Sequence, residues 1–296
     1  LPREAKRGGD NMAGNKQHGG QLKVKRFFVH IILIILTFLC LFPFYILIIN
    51  STRYHPEIMQ GFSFLPGKAL YYNLKNLMND ANLPVLRSLL NSAIISISTA
   101  VLSTYFSTLT AYAIHAYDFK LKNAAFTFIL MIMMVPTQVS ALGFVNLVRK
   151  MNLLDNFIPL IVPSIAAPIV FFFIKQYMEN SLPMEIVEAA RIDGAHEFRT
   201  FNTIVIPIAK PAIAVQMIFT FTSSWNNYFI PSLILNDSKM KTLPILIAQL
   251  RSADFLKFDM GKVYMLIALS ILPVVIVYMF LSRSIIQGVA IGSVKG

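Results

Sequence analysis

From Phe27 to Ile49 the sequence runs for 23 residues without an Asp, Glu, Lys or Arg. As a helix rising 1.5 Å per residue, that length crosses a hydrocarbon core of about 30 Å. It exceeds a signal-peptide core, and no small-residue cleavage site follows it, so it reads as a retained span. Comparable runs recur at about Leu89–Ala116, Ala124–Leu147, Ile158–Ile174, Ile204–Leu235 and Val263–Leu281. The expected fold class is therefore all-α: a polytopic membrane protein with six transmembrane helices. Composition agrees, since 56% of residues are hydrophobic and mean hydropathy is +0.62. A soluble domain carries about 45–50% apolar residues. Templates of water-soluble enzymes are set aside on this ground.

The net charge of +12 would point to nucleic acid in a soluble chain. In a membrane protein, basic residues gather in cytoplasmic loops and set orientation, so no nucleic-acid partner is expected. Residues 1–26 hold seven Lys/Arg against two acids and read as a largely disordered cytoplasmic tail. Met12 resembles a natural start, which makes residues 1–11 an extension that need not be native. Six spans then place both termini in the cytoplasm, together with the 118–122 turn and the 175–202 stretch. The 50–85, 148–157 and 236–261 loops face outward, although Arg149 and Lys150 run against the charge rule there.

Chemistry inside the spans is sparse. Ionisable groups at mid-membrane are costly and usually functional, and no span carries a central Asp, Glu or Arg. His115 and Lys210 lie near span ends, where they can snorkel. A proton- or sodium-coupled carrier lacks its usual group, and no catalytic set is visible, so any energy source must sit on another chain. Cys40 alone forms neither a disulfide nor a metal cluster. Gly61 and Gly67-Lys68-Ala69 miss the phosphate-loop spacing by one residue, with Ala in place of Ser/Thr, so no nucleotide site is expected. No repeat with paired broken helices marks an inverted-repeat transporter. The second span is rich in Ser and Thr, which permit close helix packing or line a hydrated path. Pro136, beside Thr137, Gln138 and Ser140, predicts a kink in the third span, as a gate or a packed bend.

One polar stretch, 181–202, holds four acidic and two basic side chains. Ser181 fits a helix cap and Pro183 a first turn. Ile186, Ala189 or Ala190, and Ile192 keep helical spacing, and Gly194 suits the left-handed residue that ends the helix. A second helix is expected from Ala195 to Phe201, closed or redirected by Pro207. Spacing leaves two readings open: a solvated connector with Arg191 three residues after Glu188, or a helix that docks into a partner's groove.

Glu188-Ala189-Ala190, then Gly194, then Ile204-x-Ile206-Pro207 resembles the EAA loop of permease subunits of bacterial binding-protein-dependent ABC importers, with Ile206 standing for Leu. Pro43-Phe-Tyr, Asn91-Ser, Ala111-Tyr-Ala, Val135-Pro-Thr-Gln-Val139, Ser224-Trp-Asn226, Thr242-Leu-Pro244 and terminal Gly292-Ser-Val-Lys-Gly296 are similar to the carbohydrate branch, and within it to the shorter permease of the maltose-type system. The likeness covers residues 27–296. It implies a type I ABC importer permease domain in a bacterial inner membrane, paired with a second, related permease. Two cytoplasmic ATPase subunits would bind ATP and Mg, and an extracytoplasmic binding protein would deliver the solute. The chain itself would hold no catalytic residue, metal or cofactor. The 181–202 loop becomes the coupling helix, with Glu185, Glu188, Ala189, Ala190, Asp193, Gly194 and Pro207 serving contact with the ATPase. The expected solute is a sugar, oligosaccharides first. The same architecture also serves a polyol, glycerol phosphate or an acidic oligo- or polysaccharide, and an autonomous channel or secondary carrier is the alternative of another class. Trp225, Asn226, Asn227, Tyr228 and Gln138 are candidates for the solute pathway, with an interfacial aromatic belt as the competing role for the cluster.

Overall fold

The computed structural model describes residues 4–252 and 259–292, with side chains over 25–252 and 259–282. Asp254 and residues 293–296 of the terminal motif lie outside these residues. In chain order the helices are α1 (Glu4–Ser51), α2 (His55–Met59), α3 (Leu70–Met78), α4 (Val85–Ala116), α5 (Lys122–Met133), α6 (Thr137–Lys150) and α7 (Ile158–Ile161). A 3₁₀ turn (Val162–Ile165), α8 (Pro168–Ser181), α9 (Met184–Ile192) and α10 (Glu197–Thr200) follow. A π-turn (Phe201–Val205) leads into α11 (Ile206–Trp225), α12 (Phe229–Ile234), α13 (Leu243–Arg251) and α14 (Met260–Gly292). Among the described residues, five helices are long and apolar enough to cross a membrane, and six if α5 and α6 count as one broken span.

α4 is the centre of the bundle, with α8 and α11 packed along it. Its small hydroxyl residues explain why: Ser96, Ser103 and Thr108 are fully buried, so neighbouring backbones approach closely. Thr104 and Thr108 satisfy their own hydroxyls by donating to Ala100 O at 2.7 Å and Thr104 O at 2.6 Å. Ser107 donates to Ala167 O at 3.3 Å, at the entry to α8. Two cores form at the ends of α4. One joins Val85 to Phe221, Trp225, Leu243, Leu246 and Leu266. The other joins Ala111, Tyr112 and Ile114 to Ile174, Met178, Val187, Phe201 and Val205. α1 is the opposite case: its span buries none of its most apolar window within this chain, which leaves it to lipid or another subunit.

Several expected boundaries move. The backbone of the tail read as disordered is helical from Glu4, continuous with the span, and no proline interrupts residues 3–42. At Pro136 the third span does not kink but breaks, with α5 and α6 meeting at 95°. Pro136 takes ψ 130°, outside the helical region, and starts α6 afresh. The fourth span begins at Ile158 but is interrupted by non-helical backbone at Ala166 and Ala167, then runs on to Ser181. The fifth starts earlier and ends earlier than expected, at Glu197 and Trp225, with α12 as a separate short helix. Pro207 therefore does not close the helix. It sits in the first turn of α11 after a π-turn, where Ile206 N–H bonds Phe201 O five residues back and the regular ladder is already interrupted.

At the end of the bundle away from α9, the start of α14 is locked to the end of α1. Buried Arg53 donates to Asn50 Oδ1 at 3.1 Å and Gly61 O at 2.9 Å. Asn73 donates to Ser51 O and Arg53 O, both at 2.9 Å. Gly261 passes so near that a Cβ there would lie 2.6 Å from Asn73 Oδ1. Lys262 closes the clamp on Asp80 at 2.9 Å. Burial acts to raise the Asp80 pKa, but hydrogen bonds from Lys262 and the Asn82 N–H, with the Lys262 charge, hold it below its usual value. A lowered carboxylate pKa contributes stability above the unfolded value, and that contribution is lost only as pH falls through the folded value, in the acid range. Gly261→Ala is expected to lower the thermal midpoint of the detergent-solubilised protein, by about 1–3 kcal/mol of overpacking. An unshifted midpoint would show that Asn73 is free to move.

Candidate functional site

The 181–202 loop is built on the core at one end of α4. Ser181 does not cap the new helix but ends α8, and Pro183 takes the cap position of α9 with extended backbone. Val187 and Ala190 turn inward, fully and almost fully buried, while Glu185, Ile186, Glu188, Ala189, Ile192 and Asp193 face out. Of the two adjacent alanines, Ala190 at 7% exposure lies on the inner face of α9, whereas Ala189 stands on the open face. That face is apolar as well as acidic, with Ile192 87% and Phe198 69% exposed. Pro207 is exposed but belongs to α11, beyond the loop.

Gly194 ends α9 at φ +77°. Its N–H reaches Arg191 O at 3.0 Å, and Ala195 N–H reaches Ala190 O at 2.9 Å. These two bonds are the Schellman pattern. Arg191 does not pair with Glu188 as a connector would have it. Its Nε donates to Glu197 Oε1 at 2.8 Å, across the turn. The loop is tied to α4 by the Tyr112 hydroxyl, which donates to Glu197 Oε2 at 2.9 Å, and by His115 Nε2, 3.1 Å from Leu182 O. His115 is thus engaged with the loop and does not snorkel.

A second polar feature lies along α4. One cavity of about 350 Å³ is bordered by Ser92, Ser96, Thr137, Ser140, Ser224, Asn227 and Thr242. A groove of about 740 Å³ adjoins it through shared Leu160, Ser224 and Asn227, and adds Thr99, Ser103, Ser164, Gln216, Thr220 and Ser223. Among the described residues, neither lining contains an Asp, Glu, Lys, Arg or His. The Ser96, Thr99, Ser103 and Thr242 hydroxyls are buried without a protein partner. Buried polar groups are normally satisfied, and these four lie on residues that border the two cavities.

The expected pathway cluster is divided. Asn227 borders both cavities, but Trp225 is 2% exposed and belongs to the core. Its ring stacks on Phe221 at 5.6 Å, and its Nε1 donates to Ser270 O at 3.1 Å. α11 ends at Trp225, and the cluster splits: Trp225, Asn226 and Tyr228 border a separate pocket of about 300 Å³ with Arg251, apart from Asn227. The Trp225 ring is thus packed in the core, with an edge on the Asn226–Tyr228 pocket and none on the cavities along α4. Gln138 is exposed beside Thr137 but does not line the cavity. Gln216 and Thr220 were overlooked in the sequence, although with Ser223 and Ser224 they keep helical spacing on α11. Ser92, Ser96, Thr99 and Ser103 form a similar stripe on α4, whose spacing could have separated a lining face from a packing face.

Residues 104–290 match the family model for the inner membrane component of binding-protein-dependent transport systems. The chain belongs to this family. As a member it is similar to the arabinooligosaccharides transport system permease protein AraQ of Bacillus subtilis, 32% identical over 286 residues that cover 95% of this chain and 99% of the relative. The AraQ protein of Halalkalibacterium halodurans is 35% identical over 267 residues, 88% of this chain and 93% of the relative. The sn-glycerol-3-phosphate transport system permease protein UgpE of Yersinia pestis is 31% identical over 266 residues, 88% of this chain and 94% of the relative. A chain in the crystal structure of a bacterial ABC transporter involved in the import of the acidic polysaccharide alginate superposes with TM-score 0.76 at 22% identity, covering 88% of this chain and 96% of that one. That likeness shows a shared permease fold. With the family shown, the protein is a multi-pass membrane permease.

A Cβ at Gly194 meets nothing within 4 Å, so substitution there is strained by backbone conformation and not by space. A left-handed residue other than Gly costs about 1–2 kcal/mol, less for Asn. Gly194→Val is expected to fray the end of α9, read as faster hydrogen exchange at residues 194 and 195, while Gly194→Asn stays close to the parent. Equal exchange in both variants would refute the requirement.

Proposed function

We propose that this permease forms half of the translocation pathway of an ATP-driven importer of neutral sugars, oligosaccharides foremost. The observation that carries this reading is the open face of α9, acidic and apolar together, presented beside the Gly194 turn. A helix of that kind fits a groove on a partner by its exposed apolar anchors. The partners are two cytoplasmic ATPase subunits, which bind ATP and Mg and carry out hydrolysis. This chain contributes no catalytic group or cofactor. Glu185, Glu188, Ala189 and Asp193 face the ATPase in this scheme, and Gly194 and Pro207 shape the chain around the contact. A second permease completes the pathway, and an extracytoplasmic binding protein supplies the solute. The 181–202 loop and both termini are then cytoplasmic, and α2 and α3 lie on the outer side.

The solute assignment rests on the cavities along α4. Their hydroxyls and amides match the donors and acceptors of a polyol surface, and no cation is present to pair with a phosphate or carboxylate. This favours the arabinooligosaccharide side of the family over a glycerol phosphate or an acidic polysaccharide. Ser96, Thr99, Ser103, Gln216 and Asn227 are the groups that would meet the sugar; Trp225 is not among them.

In proteoliposomes holding the complete transporter, neutral oligosaccharides delivered by the binding protein are expected to stimulate ATP hydrolysis and enter the lumen. Glycerol phosphate and uronate oligomers are expected to do neither. Preferred uptake of the anions would overturn the solute assignment, and uptake by this chain alone would overturn the importer reading. Gly194→Val is expected to leave ATPase turnover while abolishing its coupling to uptake.

A further inference from the structure

Glu197 joins three helices, α4, α9 and α10, of which α4 is distant in sequence. Its Oε2 accepts from the Tyr112 hydroxyl at 2.9 Å, near the end of α4. Its Oε1 accepts from Arg191 Nε at 2.8 Å, at the end of α9. The Arg191 guanidinium in turn lies 5.1 Å from the Tyr117 ring centre, just past α4. Beneath this cluster the Tyr112 ring packs 5.9 Å from Phe201, and Val187, Phe201 and Val205 are fully buried. The end of α9 and the start of α10 are therefore held against Tyr112 on α4 and Tyr117 just past it. That same helix carries Ser92, Ser96, Thr99 and Ser103 on the cavity wall. At 1.5 Å per residue, Tyr112 lies about 30 Å from Ser92 along a single unbroken rod.

We infer that Glu197 is a positioning residue that latches the α9–α10 loop to α4, so that displacement of the loop moves the cavity wall as one body. The inference builds on the coupling role proposed for α9. The physical ground is geometry: a carboxylate with one oxygen on each partner holds both distances at once, and a charge-assisted hydrogen bond is about twice as strong as a neutral one. A loop seated only on the apolar core could slide over it. A loop pinned through Glu197 cannot shift without carrying Tyr112, and with it α4.

The test uses two variants that keep shape. Glu197→Gln removes the charge, and Tyr112→Phe removes one hydroxyl from a residue that otherwise stays packed. In the complete reconstituted transporter, each is expected to lower solute moved per ATP hydrolysed about tenfold, equivalent to about 1.4 kcal/mol, with ATPase turnover retained. The double variant is expected to be no worse than either single one, because both cut the same link. A normal ratio in both variants, or losses that multiply in the double, would overturn the latch. An independent readout uses spin labels at Ala189→Cys and Thr110→Cys in a Cys40→Ser background, with the full chain in lipid nanodiscs. Their distance distribution is expected to broaden in Glu197→Gln and in Tyr112→Phe. An unchanged distribution in both defeats the latch even if transport is impaired. If the parent transporter hydrolyses ATP without moving any solute, the importer reading fails instead, and the label distances still decide the latch.

Discussion

Hydrocarbon offers no partner to a backbone N–H or C=O, so a chain crossing it must satisfy those groups internally, as helix. Non-helical backbone at that depth is tolerated only where protein or a water-filled cavity surrounds it. The interruptions in this permease obey the constraint. The break before Thr137, the 3₁₀ turn and non-helical backbone between Val162 and Ala167, and the break after Trp225 all lie beside the cavities along α4. Thr137, Pro163, Ser164 and Asn227, each at or next to one of these breaks, line the polar surface. At these three places the helix breaks border the polar cavities.

α4 serves both ends of this arrangement. Its small residues let α8 and α11 close on it, and one stripe of buried hydroxyls, Ser92, Ser96, Thr99 and Ser103, borders the cavities. Near its other end, Tyr112 and His115 grip the α9–α10 loop. A rod that is stiff, central and fastened at one end suits the transfer of motion from a loop to a cavity wall. α1, by contrast, buries only its last residues in this chain, where Asn50 and Ser51 meet Arg53 and Asn73.

Much of the fold was legible from residue order alone. Span-length apolar runs announced the helices, because the hydrocarbon thickness sets their length whatever their neighbours. Gly194 was readable for a similar reason: a left-handed residue is a local requirement that Gly meets without penalty. The EAA-like spacing pointed to the family that the relatives establish. Less was legible at the breaks. Pro136 predicted a bend, but a 95° turn between α5 and α6 depends on what surrounds the freed backbone groups. Pro207 was expected to close or redirect the second helix, and the π-turn before it carries the helix onward.

Side-chain roles divided along the same line. Adjacent Ala189 and Ala190 look alike in sequence, but 100° of helical rotation exposes one and buries the other. Trp225 and Asn227 share a polar, aromatic motif, but only Asn227 reaches the cavity, because stacking on Phe221 claims the indole. Glu197 carried no signal, since its partner Tyr112 is 85 residues away. The sequence by itself determined that this chain is a helical membrane permease with a polar loop at one end, because hydropathy and local backbone preference act over a few residues. Which hydroxyls line the path, which alanine faces outward and which carboxylate ties the loop to α4 were decided only by tertiary structure, because each depends on contacts between residues far apart in the chain.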